Sequence, residues 1–297
     1  MKIILFVGGS GLLGQTWIKS FNDKFKIYAI KNRNNISVRK KNLIKIKLKN
    51  FNYKNLNEIV RKKKIDSIIN VAGLTSIEEC ENNKKKAFKS NVAITKLLHA
   101  IAIKNDLKFL HMSTDHIFGG KSKGFYSENS KPNPVNNYAK TKLKAENLIK
   151  NYKKALIIRA NFFGGSTKYR KSFSGYILSN IKKNKCVSLW SDVFFTPVNI
   201  NFLIRTIHML IDKNVYGIIN ISSSNSISKY SFGIKLCQYL KLDKKYILKK
   251  KQTTKTIIRP KNMSLSNKKL FKIFPELKNK LSLNYQIKNI YNYSDTK

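Results

Sequence analysis

Residues 2–14 read KIILFVGGSGLLG and decide how the chain begins to fold. The largely apolar first half predicts a buried strand, and the amphipathic residues after the glycines predict a helix that runs to about Phe21. Gly8 would allow a tight turn, Gly11 would let a pyrophosphate approach the backbone, and Gly14 would let the helix pack on the strand. The stretch therefore predicts a strand, turn and helix that bind the phosphates of a dinucleotide at the helix N-terminus.

The end of the second predicted strand carries cations. Lys31, Asn32 and Arg33 stand where an NAD enzyme usually has an acid that binds the ribose 2′-hydroxyl. Cations at this position suit a 2′-phosphate instead, so Lys31 and Arg33 predict NADPH as the cofactor, with NADH left open. A solvated turn is the alternative, because lysine is common throughout the chain.

Strand-like and helix-like patterns alternate over the first 160 residues. After the opening unit, strands are predicted at 26–30, 44–48, 65–71, 107–112 and 155–159, and helices at 55–63, 83–104 and 138–151. This alternation indicates an α/β, Rossmann-type fold with a doubly wound parallel sheet. We expect this NAD(P)-binding Rossmann domain to span 1–160.

Beyond Ala160 the alternation loosens. Helices are predicted at 170–184, 199–212, 228–240, 265–272 and 284–292, strands at 186–189 and 217–221, and a solvated lysine-rich surface at 241–255. We expect 186–222 to return to the Rossmann domain. Residues 161–185 and 223–297 are expected to form a smaller substrate-binding portion at the C-terminal end of the chain.

Tyr138 and Lys142 are spaced so that they lie one turn apart on the same face of a predicted helix. A phenol has a pKa near ~10, and a nearby ammonium favours the phenolate, which makes the tyrosine a better proton shuttle near neutrality. The same spacing recurs at Tyr246 and Tyr293. Neither of these follows a Ser-Thr-Asp segment like the one at 113–115, and we interpret both as chance.

Small or polar residues follow two of the predicted strands. Ala72, Gly73 and Leu74 come after one, and the Ser-Thr-Asp segment at 113–115 comes after the next. Because open α/β sheets place their chemistry at the carboxyl ends of the strands, both segments are predicted to face the site. Asn91, inside a predicted helix, is expected to be a buried polar brace there.

The composition is strongly basic: 60 Lys and Arg against 15 Asp and Glu give a net charge of +45. One interpretation is a polyanion partner, either nucleic acid or an anionic membrane surface. The interpretation that we favour is compositional, because the basic residues are spread along the chain and Lys, Asn and Ile are all abundant. No nucleic-acid-binding motif accompanies the charge, so no specific nucleic-acid partner is expected.

Cysteine content and hydropathy bound the class of protein further. The three cysteines are far apart in sequence, which fits a reducing compartment and predicts no metal site. No apolar run reaches the ~18 residues that a membrane span requires. We expect a cytoplasmic protein without a membrane span, and a homodimer is left open.

The motifs together resemble the extended short-chain dehydrogenase/reductase family, and within it the dTDP-4-dehydrorhamnose reductases. The similarity covers nearly the whole chain. The matching segments are 8–14, 70–75, 78–81, Asn91, 113–118, 125–138, 158–164, 195–197 and 259–265.

This resemblance implies hydride transfer from a nicotinamide to C4 of a 4-keto-6-deoxy sugar nucleotide. Tyr138 would protonate the carbonyl oxygen, Lys142 would lower the pKa of the tyrosine and hold the nicotinamide ribose, and Thr114 would hydrogen-bond the substrate oxygen with Asp115 alongside. Phe162 stands where the family usually has a tryptophan that flanks the sugar, which leaves the exact sugar open. The resemblance implies that the cofactor contacts Gly8, Gly11, Leu12, Leu13, Gly14, Ala72, Gly73, Leu74 and Asn91, together with the catalytic pair.

Other readings of the same fold stay open. A sugar-nucleotide 4,6-dehydratase would need an Asp-Glu pair after Thr114, and His116 stands at the second of these positions. A 4-epimerase usually holds NAD, for which the ribose-binding acid is missing. A non-catalytic regulatory subunit that binds nucleotide would not require Tyr138 or Lys142, and both are present.

Overall fold

The computed structural model describes residues 1–31, 34–48, 50–121, 124–167, 170–253 and 257–290. In chain order the strands are β1 (Lys2–Val7), β2 (Phe25–Lys31), β3 (Leu43–Lys47), β4 (Ser67–Asn70), β5 (Lys108–Met112), β6 (Ala155–Arg159), β7 (Phe162–Phe163), β8 (Ser166–Thr167), β9 (Arg170–Lys171), β10 (Val187–Trp190), β11 (Phe194–Phe195), β12 (Val198–Asn199), β13 (Gly217–Asn220), β14 (Ile227–Ser228) and β15 (Ile247–Lys250).

The α-helices alternate with these strands in the first half and dominate the second. They are α1 (Leu12–Ser20), α2 (Tyr53–Lys62), α3 (Ile77–Asn82), α4 (Lys84–Phe88), α5 (Ile94–Lys104), α6 (Asn137–Ile149), α7 (Phe173–Ile181), α8 (Ile200–Asp212), α9 (Lys229–Tyr239), α10 (Lys268–Ile273) and α11 (Leu283–Lys288). A π-helical turn, Lys89–Ala93, joins α4 to α5, and a 3₁₀ turn, Asp115–Ile117, follows β5.

A parallel sheet of seven strands, in the order β13-β6-β5-β4-β1-β2-β3, forms the centre of the first compact unit. The order reverses at β1, which has β2 on one side and β4 on the other. The predicted α/β fold with a doubly wound sheet is therefore confirmed. In such sheets ligands bind outside the carboxyl ends of the strands at the point of reversal.

The register places the carboxyl ends of three strands side by side. Val7 of β1 is opposite Asn70 of β4, and Asn70 is opposite His111 of β5. Whatever follows these residues therefore lies at one edge of the sheet. One face of the sheet buries Leu5 and Phe109 against α2 and α5, and each such side chain contributes about 1.5–3 kcal/mol of hydrophobic stabilisation.

The two compact units divide the chain differently from the predicted domains. The first consists of Met1–Ser113, Asn137–Ile158 and Leu210–Ile218. The second takes Thr114–Asn136, Arg159–Met209 and the chain from Ile219 on. Thus only the end of α8 and the start of β13 join the first unit, instead of the whole of 186–222. Long-range packing decides this division, and local sequence patterns do not record it.

The second unit has its own core. Phe163, Phe195 and Phe232 are fully buried there, and the rings of Phe195 and Phe232 meet edge to face with centroids 5.6 Å apart. Part of the lysine-rich segment that was predicted to be solvated surface is strand β15, which pairs with β10 in parallel, with Ile247 opposite Val187. The prediction of a solvated surface holds for most of the segment, since Ile247 is the only buried residue of β15, but the strand itself was not predicted.

The predicted helix over 83–104 is also more broken than its periodicity indicates. Asn83, with φ −136° and ψ 79°, ends α3 and begins α4, where its side-chain oxygen accepts from the Lys86 N–H at 2.8 Å. The π-helical turn then interrupts the helix around Asn91. None of the helices in the described part of the chain has the length and apolar character that crossing a bilayer requires.

The glycine-rich turn is tight enough that its glycines are not equivalent. A Cβ on Gly14 would overlap the Gly8 carbonyl oxygen and lie 2.8 Å from the Gly9 Cα, whereas a Cβ on Gly11 would meet only the Gly8 oxygen, at 3.4 Å. We predict that Gly14→Ala lowers the free energy of unfolding by about 1–3 kcal/mol because helix α1 must move away from the backbone of Gly8 and Gly9.

The measurement is urea denaturation followed by circular dichroism. Gly11→Ala is the matched control and should change the free energy of unfolding by less than about 0.5 kcal/mol. Equal stability of the two variants would show that helix α1 does not depend on the close approach at Gly14.

Candidate active site

The glycine-rich turn leaves the N-terminus of α1 open to an anion. The Gly11 N–H donates to the Gly8 carbonyl at 3.1 Å, and Gly11 then serves as the N-cap without any side-chain cap. A Cβ on Gly8 would lie 2.5 Å from the Ala72 nitrogen, so the missing side chain brings the turn against the segment after β4. Gly8, Gly11 and Ala72, predicted separately from sequence, therefore lie together, and the helix N-terminus beside them suits a phosphate.

Asn91 holds the segment after β4 in place. Its side-chain oxygen accepts from the Leu74 N–H at 2.7 Å, and its amide group donates to the Leu74 carbonyl at 3.0 Å and to the Thr141 hydroxyl at 2.9 Å. The Thr141 hydroxyl in turn donates to the Tyr138 carbonyl at 2.8 Å. The fully buried Asn91 thus braces the loop of Ala72–Leu74 against the helix that carries Tyr138.

Tyr138 and Lys142 both lie on α6 and are 8% and 4% exposed. The Lys142 ammonium donates to the Met112 carbonyl at 2.5 Å, at the end of β5. Burial lowers the pKa of Lys142 to about 8, and the charge of Glu146, one turn further along the helix, acts in the opposite direction. Glu146 is itself buried and accepts a hydrogen bond from the Ser113 hydroxyl.

The start of α6 is fixed by a carboxylate. The Asn137 N–H donates to Glu81 Oε1 at 2.6 Å, and the Asn137 side-chain amide donates to Glu81 Oε2. A carboxylate at a helix N-terminus satisfies free N–H groups and the helix dipole together. Glu81 therefore sets where the helix of Tyr138 begins, and sequence reasoning gave this residue no role.

Three further residues at the site were missed from sequence: Glu81, Glu146 and His111. Glu146 could have been found, because it lies four residues after Lys142 and hence on the same helical face. His111 is the second-last residue of β5, whose sequence is that of an ordinary buried strand. Its contact with Lys142 depends on how α6 packs against this strand. Glu81 acts across 56 residues of chain, which no local pattern reveals.

Thr114 and Asp115, in the second unit, form a small hydrogen-bonded cluster. The Thr114 hydroxyl donates to Asp115 Oδ1 at 3.2 Å and accepts from the His116 N–H at 3.2 Å. Asp115 Oδ2 accepts from the Asn161 side chain at 2.8 Å. The Thr114 proton is thus directed at Asp115, which is 1% exposed.

Lys229, at the start of α9, faces the same cluster and was also missed from sequence. Its ammonium lies 3.2 Å from the centre of the Phe195 ring, in cation–π geometry. Burial lowers the pKa of Lys229 to about 7, and the charge of Asp115 opposes this shift.

Two of the remaining predicted residues, Lys31 and Phe162, lie at the ends of strands. Lys31 ends β2 opposite Lys47 of β3, and Arg33 lies outside the described residues. Phe162 is half-buried in β7 and is paired with Val198 of β12. In the part of the chain that the structure describes, no group of three or more His, Cys, Asp or Glu side chains could hold a metal ion.

A cavity of about 480 Å³ lies at the other edge of the sheet in the first unit. Its lining includes Lys2, Ser67 and Lys108, which begin β1, β4 and β5. The glycine-rich turn and the Lys142 contact are at the carboxyl ends of these strands, so the cavity is separate from the candidate site.

The sheet, the glycine-rich turn and the helical pair of Tyr138 and Lys142 define an extended short-chain dehydrogenase/reductase, which is a class of oxidoreductases. The chain belongs to the RmlD substrate-binding domain family, whose model matches residues 1–290. The resemblance drawn from the motifs is therefore confirmed, and with it the expectation of an oxidoreductase.

Known proteins are similar over much of the chain at low identity. A probable low-salt glycan biosynthesis reductase of Haloferax volcanii is 29% identical over 62% of this chain and 62% of its own length. A dTDP-4-dehydrorhamnose reductase of Aggregatibacter actinomycetemcomitans is 24% identical over 79% of this chain and 78% of its own. The solved dTDP-4-dehydrorhamnose reductase of Bacillus anthracis, in complex with NADP, is 20% identical and shares the fold with a TM-score of 0.81 over 99% of this chain and 100% of its own.

The brace at Asn91 generates a stability prediction. Asn91→Ala leaves the Leu74 N–H and carbonyl without their partner, so the free energy of unfolding should fall by about 2–3 kcal/mol in urea denaturation. Asn147→Ala, at an exposed position of α6, is the control and should change it by less than about 0.5 kcal/mol. A loss for Asn91→Ala no larger than for the control would mean that solvent replaces the brace.

Proposed function

We propose that this protein is an NADPH-dependent reductase of a 4-keto-6-deoxy sugar nucleotide, with dTDP-4-dehydrorhamnose as the favoured substrate and dTDP-L-rhamnose as the product. The observation that carries the proposal is the buried pair of Tyr138 and Lys142 on α6, tied to the end of β5. The family and the reductases among its relatives support the keto-sugar chemistry. The NADP-bound neighbour supports the choice of cofactor.

The proposed cofactor residues are the ones predicted from sequence, and the open helix N-terminus beside the glycine-rich turn supports them. The uncapped N-terminus of α1 offers N–H donors to a pyrophosphate, and the bare backbone at Gly11 lets it approach. Lys31 and Arg33 would bind the 2′-phosphate of NADPH. The remaining contacts would come from Gly8, Leu12, Leu13, Gly14, Ala72, Gly73, Leu74 and Asn91. When bound, the nicotinamide supplies the hydride.

Tyr138 would give its phenol proton to the C4 oxygen as the carbonyl is reduced. The phenolate that results is an anion in a buried position, and the Lys142 ammonium stabilises it. Lys142 would also hydrogen-bond the nicotinamide ribose. Because the Lys142 charge is lost as the pH rises through its pKa of about 8, this assistance should be present below that pH and fade above it.

Thr114 would donate a hydrogen bond to the substrate oxygen, but its single proton is directed at Asp115. The Thr114 hydroxyl must therefore rotate when substrate binds. Asp115 keeps the Asn161 hydrogen bond and the charge of Lys229 after this rotation, so the carboxylate is not left uncompensated. Phe162 would flank the sugar.

Some expectations stay predictions from sequence. Residues 161–185 and 223–297, which include Phe162, are proposed to form the substrate-binding portion, with Thr114 and Asp115 as further substrate contacts. A cytoplasmic location and a homodimer are likewise proposals, and both rest on the sequence.

The first experiment mixes the purified protein with NADPH and dTDP-4-dehydrorhamnose and follows the nicotinamide absorbance. Tyr138→Phe should lower kcat by about 10²–10⁴-fold because the proton donor is gone, while the affinity for NADPH stays within about twofold. A variant that keeps near-full turnover would remove Tyr138 from the mechanism.

If the native protein does not oxidise NADPH with this substrate, a panel of other keto-sugar nucleotides is tested next. The panel distinguishes a reductase of a different sugar from a protein without turnover. Turnover of another member of the panel would change only the sugar. Tight NADPH binding without turnover of any member would favour a nucleotide-binding regulatory subunit over an enzyme.

The cofactor preference has its own test. Arg33→Ala should weaken the binding of NADPH by about tenfold or more and leave NADH nearly unchanged, because only NADPH carries the 2′-phosphate. Fluorescence titration of both cofactors against the native protein and the variant measures this difference. Equal losses for the two cofactors would withdraw the role of Arg33.

A further inference from the structure

A chain of buried polar side chains leads away from Lys142 into the sheet. The Lys142 nitrogen lies 3.2 Å from His111 Nε2, and His111 Nδ1 lies 3.2 Å from the Asn70 side-chain nitrogen. The same Asn70 nitrogen lies 3.2 Å from the Thr95 hydroxyl. His111 and Asn70 are completely buried and have no access to water, so in each of these contacts one atom must donate a hydrogen and the other must accept it.

The orientation of the Asn70 side chain is determined by its neighbours. Its oxygen accepts from the Ala72 N–H at 3.1 Å. The Thr95 hydroxyl gives its own proton to the Asn91 carbonyl at 2.9 Å and can only accept from Asn70. The two amide hydrogens of Asn70 are therefore committed to Thr95 and to His111, and rotating the amide would break the hydrogen bond to Ala72.

The orientation of Asn70 determines the tautomer of His111. Because Nδ1 accepts from Asn70, the neutral imidazole carries its proton on Nε2, which faces Lys142. Burial and the adjacent Lys142 charge hold the pKa of His111 well below its ordinary value, so the ring stays neutral. At this distance the His111 Nε2–H can donate to the lone pair of a neutral Lys142 amine. A Lys142 ammonium has no lone pair to accept this hydrogen bond.

We propose that His111 is a positioning residue that favours the neutral amine form of Lys142, through a tautomer that Asn70 selects. The second ionisable group that faces Lys142 is Glu146 on α6, which favours the ammonium, and the Tyr138 phenol lies one turn away on the same helix. His111 thus favours the amine form of Lys142 while Glu146 favours the ammonium form, and the balance between them lets the Lys142 charge change near neutral pH.

The catalytic meaning of this arrangement rests on the proposed function. An ammonium that gives up its proton readily can restore the proton that Tyr138 passes to the substrate, and the proton then moves from Lys142 Nζ to the phenolate oxygen. His111 Nε2–H donates to the amine that remains. Solvent returns the proton to Lys142 when the product leaves.

The direct test is the titration of Lys142 by NMR with lysine labelled with ¹³C at Cε. The resonance of Lys142 is the one missing from Lys142→Met, and in the native protein it should titrate far below the surface lysines. In His111→Gln the amide oxygen can accept from the ammonium, so the midpoint should rise by about one pH unit. The titrations are repeated with Tyr138→Phe, in which ionisation of the phenol can no longer shift the Lys142 resonance.

Two further variants keep the outcome interpretable. His111→Asn places an amide near the position of Nδ1, satisfies Asn70 and removes the donor from Lys142, so it should also raise the midpoint. His99→Leu changes a half-buried histidine that packs against the Phe109 and Tyr152 rings, and it should leave the midpoint where it is. An unchanged or lower midpoint in both His111 variants would overturn the proposal.

Kinetics give the second readout. If the native protein reduces a keto sugar, the alkaline limb of kcat/KM should move upward in His111→Gln by the same interval as the NMR midpoint, whereas a merely structural loss would lower the whole profile. If the native protein proves inactive with every keto sugar, the NMR titration still tests the role of His111, because it requires no turnover.

Discussion

The Lys142 ammonium is buried, and a buried cation is costly unless its surroundings compensate it. The compensation comes from the Met112 carbonyl at the end of β5 and from Glu146 on the same helix. Glu146 is buried too and needs the Ser113 hydroxyl. A shift of α6 relative to the end of β5 would break these hydrogen bonds and leave a buried charge uncompensated. The same contacts that compensate Lys142 therefore also fix the position of Tyr138 on α6.

The cofactor side of the site depends on two buried asparagines, of which Asn91 was predicted from sequence to be a polar brace and Asn70 was given no such role. Asn70 ends β4 and binds the Ala72 N–H, and Asn91 binds both backbone groups of Leu74. The loop between these two anchors contains Gly73, where a Cβ would lie 2.9 Å from the Asn91 oxygen. The loop is consequently shaped by side-chain amides instead of by regular secondary structure. A backbone held in this way presents a fixed surface without the entropy loss of ordering it on binding.

The sequence predicted the parts of the fold that local chemistry determines. The first strand, the turn and α1 were found because β-branched residues, glycines and an amphipathic stretch follow one another within 20 residues. The π-helical turn at Asn91 was not found, because it is fixed by partners 17 and 50 positions away along the chain. Strand β15 was hidden by its lysines, and the assignment of 186–209 to the second unit depends on packing with distant segments. The pair of Tyr138 and Lys142 could be predicted, and the spacing of Glu146 on the same helix was available to find it, whereas the contact of His111 with Lys142 could not be predicted.

The net charge of +45 is better understood from where the few acids lie than from where the many bases do. Asp115 and Glu146 are buried, each facing a lysine whose ammonium they stabilise. Glu81 caps α6, and Glu128 Oε1 accepts from a backbone N–H of β13 at 2.9 Å. An exposed lysine costs little, because water and salt screen it, while removing a carboxylate from any of these places would leave a donor or a cation unmatched. A surface can therefore become strongly basic without disturbing the site, provided that these acids remain, and the charge by itself demands no polyanion partner.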